Sequence, residues 1–582
     1  NRALPTDLSY NTDTTWLLPG LPDLTKAAGY IPHTLSQTAM AITLDNQTIH
    51  GFRSSKLSPG MSIRDLAWGM ETAQYYYGDE YLRQAIEQYL QTQPSRVNQP
   101  QYGAVEGILT ATDDPGKPVR FGDEEISLIH AAYLYYNLTF NADWLQQDLN
   151  GLPVIDRLNL AAEWLYRNRF DPETELLWRD QVLAWQHPGL ETVPDGLPLI
   201  SIYDQALAYL ALIELAKMNA AVQQISRADA WQQRAEALKL RVNSHLWQPD
   251  PGLFRPPHPL TGPATEPDTG TIVAVENALA VYSGLTNFAQ NRSIIDGLER
   301  ARMEAGASKP GLTLHPAPVD STSHQPGTGA VWDWWGGIQI EAEFVNGFSK
   351  IGQTHLLQVA NEWQDHPGNI IEWQSPTDAT KQGSHYHHAA AGTMGSAIIK
   401  GFFGVELTGS GLTLSPRLGL NDGFIRVYQA ATDRYAAYSY DWNQGVTRLA
   451  YGTNAEIVQF NVLTLQTEQI SQVRLDDRPV PFSITTVGHD SYVTFSGPRG
   501  EHTIELVKGS NNPQAIETAS LSTNPSSDGA GESPAGSPNF GPNVTRPQAP
   551  SSLPESDRQS AGGQSEASAA AGQNLRALWR DM

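Results

Sequence analysis

The chain contains no cysteine. Disulfides, thiolate nucleophiles, iron–sulfur clusters and cysteine-built zinc sites are thereby excluded. The absence sits more easily with an oxidising, extracytoplasmic compartment (periplasmic or secreted) than with the cytoplasm, which stays the alternative. Positive charge is also scarce, with 38 Lys and Arg against 62 Asp and Glu and a formal net charge of −24. No basic stripe could track a phosphate backbone, so nucleic acid is not an expected partner. No window approaches eighteen uninterrupted apolar residues, which excludes a conventional membrane span in the residues shown. The opening NRALPTDLSYNTDTTW has no initiator Met and no n-region or apolar h-region, and predicts a start exposed by processing or trimming. Gly-rich phosphate loops are missing too, so no nucleotide cofactor is expected.

What is present is bulk and aromatic surface. At 582 residues, with 15 Trp and 22 Tyr, the chain is long enough for more than one module with a sizeable core. Between about Met61 and Phe402, apolar residues recur at helical spacing, as in Ile126, Ile129, Tyr133 and Leu134, or Tyr203, Leu207, Leu210 and Ile213. The pattern predicts helices over 61–78, 80–91, 122–138, 151–168, 200–219, 225–246, 270–284, 289–303, 334–349, 351–365 and 385–401. Tight joints, such as that between 334–349 and 351–365, require antiparallel hairpins. No fixed repeat length is present, so a closed toroid of hairpins is expected rather than an open solenoid. After Gly404 the period changes to short alternating segments (GFIRVYQAAT, DRYAAYSYDW, AEIVQFNVLTL), the pattern of a small antiparallel β domain. The expected organisation is mainly α: a wrapping or capping segment over 1–58, an (α/α)6 barrel over 59–402, a β-sandwich-like domain over 403–508 and a disordered, low-complexity tail over 509–582.

Acidic residues beside tryptophans carry the chemistry. SIRDLAWGME sets Arg64, Asp65 and Trp68 at a helix start, LLWRDQVLAW sets Asp180 after Trp178, VWDWWGG flanks Asp333 with Trp332, Trp334 and Trp335, and IIEWQSP follows Glu372 with Trp373. Taken singly, such an Asp is a helix cap and such a Trp is core. Four in one helical domain suit a cleft for a neutral polyhydroxylated ligand, with indole faces stacking on sugar rings and carboxylates taking hydroxyls. Cleavage of a glycosidic bond needs two carboxyl groups, an acid and a base or nucleophile. Asp65, Asp123, Glu124, Asp180, Asp204, Asp333, Glu341, Glu343 and Glu372 are candidates between which spacing does not choose. Apolar neighbours raise a carboxyl pKa and favour Asp180, Asp333 and Glu372. His385, His387 and His388 in HYHH lack the spacing of a zinc site and no segment fits a calcium loop, so no metal is expected.

The segment NIIEWQSPTDATKQGSHYHHAAAGTMGSAIIKGFFGVEL, running into GLTLSPRL, is similar to the end of the barrel in bacterial alpha-rhamnosidases. Residues 58–505 together resemble the six-hairpin glycosidase superfamily. The resemblance implies Glu372 as catalytic base, with Ser384, His385 and Tyr386 lining the same end. Upstream, SIRDLAW, GDEEISLIHAAYLYY and LLWRDQ resemble three motifs of glycogen-debranching glucosidases. That likeness implies Asp180 as general acid, Asp65 as the alternative, and Arg64, Asp65 and Asp123 as holders of sugar hydroxyls. The chain then departs from the debranching pattern, and DGLPLISIYDQALAYL puts Tyr203 and Asp204 at the next position. The expectation is an inverting glycosidase acting on an α-linked neutral saccharide, with Trp68, Trp178, Trp332, Asp333, Trp335 and Trp373 shaping the pocket. A sugar-binding barrel without activity, or a lyase or phosphorylase on the same fold, are the alternatives.

Overall fold

The computed structural model describes residues 14–44, 46–99, 101–110, 123–180, 198–260, 270–316 and 329–509. Apart from Gly509, the expected tail lies outside these residues. The helices among them are α1 (Pro22–Ala28), α2 (Tyr30–Thr38), α3 (Ile63–Ala73), α4 (Asp79–Thr92), α5 (Glu124–Thr139), α6 (Ala142–Gln146), α7 (Val154–Asn168), α8 (Ile202–Ala221), α9 (Ile225–His245), α10 (Ala274–Ser283), α11 (Phe288–Glu304), α12 (Asp333–Val345), α13 (Ser349–Glu362) and α14 (His388–Ser396). A π-helical turn, Ala397–Phe402, continues α14.

Packing sorts these helices into two layers. α3 lies against α5, α5 against α8, α8 against α10, α10 against α12, α12 against α14, and α14 returns to α3, closing an inner ring. Outside it, α2 covers α14, α4 covers α3 and α5, α7 covers α5 and α8, and α9, α11 and α13 fold back on α8, α10 and α12. This is the expected (α/α)6 toroid, and the two layers differ in sequence for a physical reason. Inner helices such as α5 and α12 are buried on nearly every side, as helices apolar all round must be. Outer α9 buries only Ala228, Trp231, Ala235, Leu238 and Val242, a single stripe at spacings of three and four.

Glycines close the ring. A Cβ on Gly392 of α14 would stand 2.3 Å from the Trp68 carbonyl oxygen of α3, and one on Gly69 would stand 1.9 Å from Nε2 of His388. Gly337 of α12 faces the backbone of Thr393 in the same way, with a Cβ 2.5 Å from its carbonyl carbon. The backbones of neighbouring inner helices meet where any side chain would hold them apart.

Several helices start two to four residues later than the apolar spacing predicts. Short strands precede them: Met61–Ser62 before α3, Leu152–Pro153 before α7, Pro198–Ile200 before α8 and Ile272–Val273 before α10. Their apolar residues pass for a first helical turn in sequence but pair with a neighbouring strand instead.

The β domain comprises two sheets. One runs in the order Trp16–Leu18, Gly423–Gln429, Arg434–Asp441, Val446–Thr453, Gly500–Lys508, Ile470–Leu475 and Arg478–Val480. The other runs Val405–Thr408, Gly411–Leu414, Val458–Thr464, Asp490–Gly497 and Ser483–Val487. Gly411–Leu414 and Val458–Thr464 pair parallel, whereas the other pairs of these sheets are antiparallel. Val458, Phe460, Val462 and Thr464 alternate inward, and Tyr451 of the first sheet meets Phe460 of the second edge-on, with ring centroids 4.9 Å apart. The opening segment supplies an edge strand to the first sheet, α1 and α2, and the hairpin Ala39–Leu44 with Gln47–Phe52.

Candidate active site

The first turns of the inner helices converge at one end of the ring, and their side chains touch. Ser62 and Ser201 cap α3 and α8 by accepting the backbone N–H of Asp65 and Asp204, so Ser-Ile-Arg-Asp and Ser-Ile-Tyr-Asp build the same helix start twice. Glu276 is likewise the third residue of α10. A carboxylate is thus presented at the same height by three inner helices.

Two arginines join these helix starts. Arg64 grips Asp123 through Nε and Nη2 at 2.6 and 2.7 Å, and the Tyr203 hydroxyl donates to the same carboxylate at 2.7 Å. Arg179 holds Asp204 through the same two nitrogens, Nε at 2.7 Å, with the Ser201 hydroxyl adding a bond at 2.8 Å. The Arg179 guanidinium stacks 5.1 Å above the Tyr203 ring. All six of these bonded side chains are buried. Burial pushes Asp123 up, but Arg64, Arg179 and the Tyr203 hydroxyl outweigh it and hold the carboxyl below its usual range. Burial, then the nearby Asp204 charge, pushes Glu276 up to about 8.

Of the residues expected to contact the sugar, Arg64, Asp123 and Tyr203 bond one another, and Asp204 bonds Arg179 and Ser201. They form the scaffold of the mouth. Asp333 departs further from expectation: its carboxylate is 1% exposed, 2.5 Å from Lys309 Nζ and 2.9 Å from the Trp363 indole nitrogen. With Glu362 it is one of two carboxylates paired to the buried Lys309. Trp68, Trp332, Trp334 and Trp335 are buried as well. Trp334 stacks on Trp335 at 4.4 Å, Trp335 meets Tyr203 edge-on at 5.8 Å, and Trp68 meets Trp334 at 6.4 Å. They form an aromatic floor rather than stacking faces.

The accessible groups are fewer. Glu372 is partly exposed, and one of its oxygens, Oε2, accepts from the Ser384 backbone N–H at 3.1 Å and from its hydroxyl at 2.9 Å. Both residues belong to a hairpin in which Glu372 N–H donates to Ser384 O and Gly383 N–H to Trp373 O. A Cβ on Gly383 would stand 2.5 Å from the Trp373 ring, so only glycine lets this arm lie on the indole. Trp373 pairs with Trp332 across short strands and is half-buried, as are Trp178 and Tyr386, while His385 is exposed. Asp65 accepts from the Ser54 hydroxyl at 2.6 Å. Between Asp65 and Glu372 stands His387, its Nε2 3.6 Å from Asp65 Oδ1 and 3.7 Å from Glu372 Oε1. Strand Arg179–Asp180 pairs with Pro198–Ile200, which leads into α8. The side chain of Asp180 lies outside the described residues.

Deeper in the ring, past Trp68, lies a second polar layer. His130 of α5 stands between Glu214 of α8, 2.8 Å from Nδ1, and Glu71 of α3, 3.4 Å from Nε2. Lys400 of the π-helical turn pairs with Glu71, to which Tyr282 of α10 also donates. Burial disfavours the His130 cation, yet Glu214 and Glu71 raise its pKa to about 10. Burial pushes Glu341 of α12 up to about 7.

Arg179, Glu276, His387, Ser54 and Lys309 were not anticipated from sequence. The repeated Ser-Ile-x-Asp start aligns Asp65 with Asp204 in sequence, whereas Glu276 follows Val-Ala-Val and carries no such signal. The arginine partners are far apart in sequence and become visible only once the ring closes.

No family model and no curated sequence matches the chain. Solved structures do. An alpha-L-rhamnosidase from Dictyoglumus thermophilum aligns at 13% identity with a TM-score of 0.54, over 85% of this chain and 51% of that one. A GH78 family rhamnosidase of Bacillus sp. GL1 aligns at 15% identity and TM-score 0.54, over 78% of this chain and 43% of that one. A structure named Sialidase aligns at 12% identity and TM-score 0.51, over 75% and 38%. The chain spans about half the length of the rhamnosidases it matches. At these identities the likeness is one of fold, the (α/α)6 barrel with its β domain.

Proposed function

We propose that the protein is a glycoside hydrolase that cleaves an α-linked neutral saccharide with inversion at the anomeric carbon. The observation that carries the reading is the setting of Glu372: a partly exposed carboxylate at the converging helix starts, one oxygen held by Ser384, beside Trp373 and Asp65. The fold shared with two rhamnosidases supports it. The surplus of acidic charge supports an uncharged substrate over a polyanion.

In this reading Glu372 is the base. Its Oε1 takes a proton from water as the water oxygen bonds to the anomeric carbon. Asp180 is the acid and gives its proton to the departing glycosidic oxygen, which leaves with the electron pair of the broken C–O bond. Trp178 and Trp373 stack on the sugar, and His385 and Tyr386 border it. Asp65 is the second reading for the acid. It is favoured by its place across His387 from Glu372, which keeps the two facing oxygens within about 7 Å of each other, close enough for two carboxyl groups to act on one bond.

Hydrolysis of 4-nitrophenyl α-L-rhamnoside and α-D-glucoside by the wild type, Asp180→Asn and Asp65→Asn tests the assignment. The proposal expects turnover on at least one substrate and a loss of about 100-fold or more in kcat for Asp180→Asn. A larger loss in Asp65→Asn would move the acid to Asp65.

A further inference from the structure

We infer that His387 is a positioning residue for the two carboxylates of the candidate site, a role that rests on reading Glu372 as the base. His387 is the N-cap of α14, and its Nδ1 accepts the Ala390 backbone N–H at 3.3 Å. A ring nitrogen that accepts a hydrogen bond carries no hydrogen, so the neutral imidazole bears its hydrogen on Nε2. Helix capping thereby fixes the tautomer, and the fixed N–H faces Asp65 Oδ1 at 3.6 Å and Glu372 Oε1 at 3.7 Å.

The other oxygen of each carboxylate is already engaged. Ser54 Oγ donates to Asp65 Oδ2 and Ser384 to Glu372 Oε2, which leaves Oδ1 and Oε1 turned toward the one imidazole. The backbone of the same helix start anchors both sides: His387 N–H donates to Ile370 O, two residues before Glu372, and His388 N–H donates to Ser54 O. The ring is 3% exposed and packs 6.1 Å from Trp334, so it has little freedom to turn away. The titratable groups around it are Asp65 from α3, Glu372 from the hairpin and His388 behind it. Burial pushes His388 down to about 3, which keeps that ring neutral.

One N–H thus faces two acceptors, each just beyond hydrogen-bond reach, and a small shift of the ring brings one into bonding distance at the cost of the other. A bond to Glu372 orients that carboxylate, and a bond to Asp65 leaves Glu372 Oε1 open to the proton of an attacking water.

His387→Asn separates this role from capping, because Asn also accepts an N-cap hydrogen bond but its shorter side chain carries no N–H into the gap between the carboxylates. Two readouts decide. In histidine-labelled wild-type protein, 15N chemical shifts, assigned by the resonance lost in His387→Asn, are expected to report a ring protonated on Nε2 alone. Hydrogen on Nδ1 would overturn the inference whether or not the protein hydrolyses a glycoside. On the 4-nitrophenyl glycoside that the wild type cleaves, His387→Asn is expected to keep its thermal midpoint within a few degrees. It should lower kcat by about 100-fold with KM changed less than about threefold. Wild-type kcat in a folded His387→Asn would reduce His387 to a helix cap and overturn the inference. Absence of hydrolysis by the wild type would instead strike the glycosidase reading, with the tautomer still deciding the geometry.

Discussion

Removing Asp123 would take from the buried Arg64 guanidinium the carboxylate it holds through two nitrogens, and breaking a buried pair from one side costs about 3–5 kcal/mol. Asp123→Ala is therefore expected to lower the unfolding free energy by roughly that amount in urea titration, whereas a residue that only touched sugar would leave stability unchanged. The same contrast separates the residues named from sequence. Glu372, Trp373 and Ser384 could be named together because they lie in one segment with a family resemblance. Asp333 was misread because its Trp neighbours look the same in sequence whether they line a cleft or pack beneath it, and Lys309, which decides the matter, is distant in the chain. His387 was dismissed with its neighbours as an unsuitable metal ligand. Its role depends on α14 starting at His388, a boundary that apolar spacing placed three residues early.

At the level of the helices, ring closure through Gly69, Gly337 and Gly392 is the least forgiving feature. Gly392→Ala places a methyl 2.3 Å from the Trp68 carbonyl oxygen, a backbone atom that cannot rotate aside. Overpacking of this kind costs about 1–3 kcal/mol or more, and thermal melting is expected to show a corresponding fall, while alanine at the exposed Ser244 of α9 should have no measurable effect. Eleven helices were legible because a buried face imposes its period on the sequence. α1 and α2 were not, because Pro22, Gly29 and Pro32 break the pattern over residues 22–38, nor was α6, whose five residues are too few to show a period. Pro22 begins α1 and Pro32 is the third residue of α2, first-turn positions where the missing N–H has no helical partner to lose.

For the whole molecule, buried titratable groups set the response to pH. Burial and Asp204 raise Glu276 to about 8, burial and Glu124 raise Glu125 to about 8, burial raises Glu341 to about 7, and Glu214 with Glu71 raise His130 to about 10 against the effect of burial. Each folded-state value lies above that of the unfolded chain, so between about pH 4.5 and 10 the native state binds more protons and stability falls as pH rises. In the opposite sense, Glu71, raised by burial but drawn down to about 2 by Lys400 and His130, contributes stability above pH 4.5 that is lost on acidification. The melting temperature is expected to peak near pH 5 and decline steadily to pH 9, with a shallower decline in Glu276→Gln; a profile flat or rising between pH 6 and 9 would contradict these assignments. The toroid, the β domain and the barrel end at Glu372 could be anticipated from one chain, whereas the pairing of helix starts at the mouth is a property of closure and appears only in three dimensions. The central claim, that Glu372 activates water at this mouth, is tested most directly by following hydrolysis of the cleaved glycoside by 1H NMR with wild type and Glu372→Gln in parallel. The account predicts first-formed sugar of inverted anomeric configuration from the wild type and turnover reduced at least about 1,000-fold in Glu372→Gln; undiminished turnover in the variant, or product of retained configuration, would contradict it.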